Sequence, residues 1–212
     1  MNRIKAALFD LDGVVFDTEP QYTIFWRNQC VEFHPEIPGL ENKIKGQTLV
    51  EIYDKYFSGN LLDKREVVSQ RLADFEQRMS YDYIQGFVPF VLDARLQNIK
   101  TAVVTSSNRA KMENVYRAHP DFLEMFDAVL TSEDFVNSKP APDCYLEAAK
   151  RFGFLTKECI VFEDSFNGLM SGRNAGMTVV GLSTTNKREA IDDYSDIVID
   201  NYIGLTINNL FK

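Results

Sequence analysis

Residues 8 to 18 decide the fold of this chain: Leu8-Phe9-Asp10-Leu11-Asp12-Gly13-Val14-Val15-Phe16-Asp17-Thr18. The apolar run Ala6 to Phe9 predicts a strand that is buried on both faces of a parallel sheet. Asp10 and Asp12 follow at its carboxyl end, where ligands bind in open α/β sheets. Period-two alternation predicts that both carboxylates face the same side, and Gly13 permits a sharp turn after them. The pair therefore predicts a shared site at the edge of a sheet.

Composition and charge restrict the class of protein. A length of 212 residues suits one large or two small domains, and 45% hydrophobic residues can supply a core. No apolar run approaches the roughly 20 residues that a bilayer span needs, and the N-terminus has no signal-peptide core. A formal net charge of −8 argues against nucleic acid as the partner. We expect a soluble, cytoplasmic monomer that binds neither membrane nor nucleic acid.

The cysteines and histidines form no recognisable site pattern. Cys30, Cys144 and Cys159 are widely spaced in apolar surroundings, which favours reduced core thiols over a disulfide or a nucleophile. His34 and His119 share no motif, so we predict neither a zinc site nor a histidine-based triad.

Two kinds of pattern divide the chain into a core and an insert. Residues 16–85 carry helical spacing and no clear buried-strand run, which predicts a helical insert. Residues 1–15 and 86–212 alternate strand and helix signals, which predicts a doubly wound α/β core. The later strands are expected at Thr101 to Thr105, Ala128 to Leu130, Cys159 to Phe162, Thr178 to Leu182 and Ile197 to Ile199. A helix is expected between Pro142 and Gly153.

Three further strand ends or loops carry polar residues. Residues 105–108 (Thr-Ser-Ser-Asn) form a hydroxyl-rich turn that suits phosphate oxygens, although such residues also cap helices. Lys139, in a proline-rich loop, is either a solvated lysine or a fixed cation beside a phosphoryl group. Glu163 and Asp164 end a hydrophobic strand, where they either cap the next helix or belong to a site.

The acidic residues of these strand ends predict a metal ion. Four carboxylates at one sheet edge repel each other unless they are protonated or bridged by a cation. Oxygen-only ligands beside a phosphate substrate favour Mg²⁺. The four acids are Asp10, Asp12, Glu163 and Asp164.

Taken together, the motifs resemble those of the haloacid dehalogenase superfamily, in the branch of β-phosphoglucomutase and sugar-phosphate phosphatases. They occur in order along essentially the whole chain as Asp10-Leu11-Asp12-Gly13-Val14, Thr105-Ser106-Ser107, Lys139-Pro140-Ala141-Pro142-Asp143 and Glu163-Asp164-Ser165. The resemblance implies a Rossmann-like core with residues 16–85 as a helical cap. Asp12 argues against dehalogenase chemistry, because a halide leaves without a proton.

The resemblance also implies a role for each motif residue. Asp10 would be the nucleophile that forms an aspartyl-phosphate, and a Mg²⁺ ligand. Asp12 would protonate the leaving oxygen, activate water and offer its backbone carbonyl to the metal. The phosphoryl oxygens would be held by three polar groups, Thr105, the Ser106 amide and Lys139. Asp164 would complete the metal site, with Glu163 as a second or water-mediated ligand.

The insert bears on which reaction follows. Compared with β-phosphoglucomutase, Tyr22 replaces a histidine, and Leu49 in the segment 44–49 replaces an arginine that holds the second phosphate of the substrate. Arg71 either contacts an anionic substrate or is an exposed helical arginine. We therefore expect a Mg²⁺-dependent phosphatase that acts on a small phosphomonoester, a sugar phosphate. The alternatives are a phosphoglucomutase-like isomerase and a non-catalytic binding protein.

Overall fold

The protein, here as a computed structural model, is described over residues 4–44 and 47–210. It divides into two compact units. The core unit consists of Met1–Asp17 and Tyr81–Lys212, and the helical insert consists of Thr18–Ser80.

The insert is shorter than the predicted range 16–85, because its two connecting segments pair with each other in the core unit. Phe16 forms an antiparallel bridge with Tyr83. The Asp17 amide donates to the Asp82 carbonyl over 2.8 Å. These backbone contacts add both connecting segments to the core unit.

The described residues of the core unit form a six-stranded parallel sheet. Its strands are β1 (Ala6–Phe9), β2 (Lys100–Val104), β3 (Ala128–Leu130), β4 (Cys159–Glu163), β5 (Thr178–Leu182) and β6 (Ile197–Ile199). Their spatial order is β3-β2-β1-β4-β5-β6, and every neighbouring pair is parallel. The predicted doubly wound α/β fold is therefore confirmed. Strands β2 and β4 differ from their predicted bounds by one residue.

The strand order places a crevice beside β1. The chain leaves β1 for β2 on one side and later crosses to β4 on the other, so the order reverses at β1. Ligands bind at such a switch point, beyond the carboxyl ends of the strands. Phe9 is level with Val103 on β2 and with Phe162 on β4. The residue after each of these three therefore lies at the same height of the sheet.

Nine α-helices occur within the described ranges. The insert contains α1 (Glu19–Phe33), α2 (Leu40–Ile44), α3 (Leu49–Tyr56) and α4 (Lys64–Glu76). The core unit contains α5 (Phe87–Leu96), α6 (Arg109–Ala118), α7 (Asp143–Phe152), α8 (Phe166–Asn174) and α9 (Arg188–Ile191). The predicted helix before Gly153 is α7, and Gly153 ends it with a left-handed φ of 70°. The apolar side of α7, with Cys144 and Tyr145, packs against the sheet.

Each unit has its own buried cluster. The insert buries Phe25, Trp26, Leu40 and Phe57 among others, which gives its helices an apolar centre. All three cysteines are free thiols in buried positions, as predicted. In the part of the chain that the structure describes, no helix combines the length and hydropathy that crossing a membrane requires.

Candidate active site

The carboxyl ends of β1 and β4 bring the predicted motif residues together within the core unit. Asp10 directly follows β1, and its amide donates to the Phe162 carbonyl over 3.0 Å. Glu163 is the last residue of β4 and lies at the same height of the sheet. Because β1 ends at Phe9, strand alternation does not extend to Asp12, which lies in the loop instead.

Lys139 links the acidic residues of this edge. Its ammonium group donates to Asp10 Oδ1 and to Glu163 Oε1, each over 2.6 Å, and to the Val104 carbonyl over 3.0 Å. The Lys139 side chain is only 5% exposed. Of the two predicted alternatives, a solvated lysine and a fixed cation, the structure has the fixed cation.

Glu163 is completely buried and accepts hydrogen bonds at both carboxylate oxygens. Oε1 accepts from Lys139 and also from the Tyr145 hydroxyl, which lies 2.7 Å away. Oε2 accepts from the Asp164 amide over 3.2 Å and from Ser165 Oγ over 3.4 Å. These contacts fix the carboxylate beside Lys139.

Burial and neighbouring charge act together on Asp10 and Lys139. Burial raises the pKa of Asp10 to about 7, with contributions from Glu163 and Asp12, although the Lys139 ammonium opposes this shift. Burial disfavours the charge of Lys139, but Asp10 and Glu163 outweigh burial and raise the pKa of Lys139. The lysine is therefore a permanent cation at this edge.

Asp164 lies close to Asp10 and Glu163. One carboxylate oxygen each of Asp10, Glu163 and Asp164 lies within 4.8 Å of the other two. Thr185 Oγ1 donates to Asp164 Oδ2, and Asn186 Nδ2 donates to the Asp164 carbonyl over 2.9 Å. The loop after β5 thus orients Asp164.

Gly13 permits the close approach of the first loop to Asp164. Its φ of +74° is left-handed, and a Cβ atom at this position would lie 2.2 Å from Asp164 Oδ2. Any other residue would therefore displace the carboxylate.

The donor set and its charge fit Mg²⁺. The three grouped acids offer oxygen donors alone, which Mg²⁺ prefers. Four carboxylates face two ammonium groups, so the site has an excess of negative charge that a divalent cation would offset. The acids are Asp10, Asp12, Glu163 and Asp164, and the ammonium groups are those of Lys111 and Lys139.

Asp12 has two partners that the sequence analysis missed. Ser107 Oγ donates to Asp12 Oδ2 over 3.2 Å, and the Lys111 ammonium donates to the same oxygen. Lys111 lies in the first turn of α6 and is 3% exposed. The sequence does carry an indication of this contact. Asn108 caps α6 by accepting from the Lys111 amide, which places Lys111 in the first turn, where a positive charge opposes the helix dipole and needs a partner.

The turn after β2 also closes toward this edge. Thr105 is buried, and its hydroxyl accepts from the Ser107 amide over 3.0 Å. Ser106 lies between them and is partly exposed. Their role in holding phosphoryl oxygens stays a prediction.

Arg71 lies on α4 of the insert and has a carboxylate partner. Its guanidinium donates to Glu32 over 2.7 and 3.2 Å and to Gln29 Oε1 over 2.9 Å. Tyr22, also in the insert, donates its hydroxyl to Glu76 Oε1 over 2.8 Å. The predicted substrate contact of Arg71 stays a prediction.

The segment 44–49 of the insert, in which Leu49 replaces an arginine of the mutase, is described only in part. Leu49 begins α3, where Thr48 and Glu51 form a capping box. Lys45 and Gly46 of the same segment lie outside the described residues.

Comparisons with known proteins agree with the motif pattern. A protein of Arabidopsis thaliana, SUPPRESSOR OF QUENCHING 1, chloroplastic, is 29% identical over 220 residues, or 98% of this chain. Fructose-1-phosphate phosphatase YqaB of Escherichia coli is 26% identical over 194 residues, which cover 84% of this chain and 96% of that protein. The chain spans 21% of the chloroplastic relative, and 55% of a second plant relative.

Solved structures and a family model identify the fold and the family. β-Phosphoglucomutase from Clostridium difficile superposes with a TM-score of 0.80 at 23% identity, covering 97% of this chain and 94% of its own. At this identity the likeness shows the fold alone. The family model described as haloacid dehalogenase-like hydrolase matches residues 4–176. Since this match covers most of the sequence, the chain belongs to the haloacid dehalogenase-like hydrolases.

Proposed function

We propose that this protein is a Mg²⁺-dependent phosphatase that hydrolyses small phosphomonoesters, with sugar phosphates as the substrate class. The observation that carries the proposal is the buried Lys139, which joins Asp10 to Glu163 beside Asp164. Phosphoryl transfer depends on positioning and charge neutralisation, and this group offers a nucleophile, a fixed cation and oxygen ligands in one place.

The first step transfers the phosphoryl group to Asp10. A carboxylate oxygen of Asp10 forms a bond to phosphorus while the bond from phosphorus to the ester oxygen breaks. The electron pair of that bond goes to the ester oxygen, which takes a proton from Asp12. The Lys139 ammonium stays beside the phosphoryl oxygens and offsets their charge.

The second step releases phosphate. Asp12, now a carboxylate, takes a proton from water as the water oxygen forms a bond to phosphorus. The bond from phosphorus to Asp10 breaks, and its electron pair returns the Asp10 carboxylate. Asp12 is protonated again, so both residues are ready for another substrate.

The metal would be held by Asp10, Asp164 and the Asp12 carbonyl. When bound, it supplies charge neutralisation for the phosphoryl group. Glu163 accepts hydrogen bonds from Lys139 and Tyr145, so a water-mediated role suits it better than direct ligation.

The substrate class rests on similarity and on the insert. A relative named fructose-1-phosphate phosphatase supports a sugar phosphate. Leu49 and Tyr22, where the mutase has an arginine and a histidine, support hydrolysis over isomerisation. Arg71 stays a proposed contact for an anionic group of the substrate. Its guanidinium also donates a hydrogen bond to Glu32.

A phosphate-release screen tests this proposal. The purified protein with Mg²⁺ is incubated with sugar phosphates, phosphoglycolate, nucleotides and pyrophosphate. We expect release from at least one sugar phosphate, loss of release with EDTA, and recovery when Mg²⁺ is restored, because the acidic cluster needs a divalent cation. In parallel, Mg²⁺ alone should raise the melting temperature.

Two outcomes would contradict the proposal. Folded protein that releases no phosphate from any substrate would exclude phosphatase activity. In an assay with β-glucose 1-phosphate as the substrate and its bisphosphate as the primer, glucose 6-phosphate could form faster than free sugar is released. That result would favour the isomerase instead.

Tyr145→Phe tests the support of Glu163. We expect this substitution to lower the free energy of unfolding by about 2 kcal/mol, because a buried carboxylate loses a hydrogen-bond donor. Tyr202→Phe is the matched control, since Tyr202 is equally buried and its hydroxyl has no partner among the described residues. It should leave stability unchanged or raise it. Urea unfolding of both variants measures the difference, and equal losses would contradict the role of the Tyr145 hydroxyl.

A further inference from the structure

Lys111 is a second buried cation at this sheet edge. It lies in the first turn of α6, is 3% exposed, and its ammonium donates to Asp12 Oδ2. Ser107 Oγ donates to the same oxygen over 3.2 Å. Two donors from the segment after β2 therefore hold one oxygen of the proposed acid and base.

The position of Lys111 is unfavourable for stability alone. Burying an ammonium group removes it from water, which costs free energy that only a close partner offsets. The first turn of a helix carries the positive end of its dipole, and α6 has no acidic residue there. Asp12 thus compensates a lysine that the helix by itself disfavours.

We propose that Lys111 is a positioning residue for Asp12, an inference that rests on the proposed phosphatase function. The ammonium fixes Oδ2, so that the Asp12 carboxylate keeps one orientation through both steps. Without this ammonium, Ser107 Oγ still donates to Oδ2, but an uncharged hydroxyl holds a carboxylate oxygen less strongly than an ammonium group does. Lys139 contacts Asp10 and Glu163, so the two lysines serve different carboxylates.

If Lys111 positions Asp12, its loss should slow only those reaction steps in which Asp12 transfers a proton. The first step with p-nitrophenyl phosphate needs no proton from Asp12, because p-nitrophenolate is a stable leaving group. The first step with a sugar phosphate needs that proton, and the second step needs Asp12 with either substrate. Loss of Lys111 should therefore separate the two substrates.

The experiment compares wild type, Lys111→Met and Lys111→Arg on both substrates. For Lys111→Met with p-nitrophenyl phosphate, we expect a burst of p-nitrophenolate because only the second step is slowed, a kcat lowered by about 10- to 100-fold, and a KM that falls with it. Its kcat/KM stays within about threefold of wild type, whereas kcat/KM for a sugar phosphate falls by about 10- to 100-fold. Lys111→Arg keeps the charge and should recover part of the loss.

Lys150→Met is the matched control, because Lys150 lies on α7 with its side chain 79% exposed. It should match wild type on both substrates. Equal losses of kcat/KM on the two substrates, or wild-type rates in Lys111→Met, would overturn the role of Lys111 alone. Wild-type protein that is inactive on both substrates would instead overturn the proposed function, and the role of Lys111 with it.

Discussion

Asp10→Asn is expected to abolish phosphate release, lowering kcat by about 10⁴-fold or more. The amide is close to the carboxylate in size, but it cannot form an aspartyl-phosphate. Lys139 keeps its contact with Glu163, so the site keeps most of its contacts while the nucleophile is lost. Phosphate release from the best substrate of the screen measures the effect. Activity within tenfold of wild type would exclude Asp10 as the nucleophile.

The same variant carries an internal control for folding. Burial raises the folded-state pKa of Asp10 from 3.8 to about 7, so the folded protein binds this proton more tightly than the unfolded chain does. The stability associated with that proton is therefore lost as pH rises through about 7. Asparagine does not ionise. In EDTA, we expect Asp10→Asn to be more stable than wild type at pH 8, and the difference to shrink at pH 5.

Asp127→Asn is the comparison variant, for which we expect the opposite change in stability at pH 8. Burial raises the pKa of Asp127, but hydrogen bonds from Lys100 and the Thr101 amide outweigh it and lower the pKa overall. This substitution should therefore reduce stability at pH 8 and leave activity unchanged. If Asp10→Asn were destabilising in the same way, the acidic cluster would not be under electrostatic strain in the metal-free protein.

The sheet edge was predictable because a parallel sheet aligns the carboxyl ends of its strands. A run of apolar residues before Asp10, and another before Glu163, is enough to indicate two buried strands. Their neighbouring positions then follow from the strand order of a doubly wound fold. The compact unit Thr18–Ser80 is narrower than the predicted insert 16–85, because the bridge between Phe16 and Tyr83 joins residues that are far apart in the chain, which no local pattern indicates.

The missed contacts share one physical cause, which is the reach of long side chains across elements. Tyr145 has the spacing of an apolar helix face, and it does pack against the sheet, but its hydroxyl also contacts Glu163. Lys111 contacts an aspartate 99 residues away. Helical periodicity likewise gives no indication that Arg71 pairs with Glu32 on another helix. Patterns along the chain predict which face is buried, and they do not predict such pairs.

Lys139→Met is expected to have the largest effect on stability, lowering the free energy of unfolding by about 3–5 kcal/mol in EDTA. Removing one partner of a buried ion pair leaves the other charge without compensation, and here two acids, Asp10 and Glu163, lose the same cation. Phosphate release should be lost as well, because the ammonium group proposed to offset the charge of the phosphoryl oxygens is removed, while Lys111 contacts Asp12 instead. Urea unfolding and the phosphate-release assay measure the two effects.

Two further variants separate burial from charge pairing and stability from activity. Lys5→Met removes an ion pair of similar length, 2.7 Å to Glu158, in which the Lys5 side chain is 46% exposed. Because exposed pairs contribute little, this variant should have a free energy of unfolding close to that of wild type.

Combining Lys139→Met with Glu163→Gln removes one uncompensated charge and keeps an acceptor for Tyr145, so stability should partly return while activity stays lost. A double variant no more stable than Lys139→Met would show that the lysine stabilises by packing and not by charge.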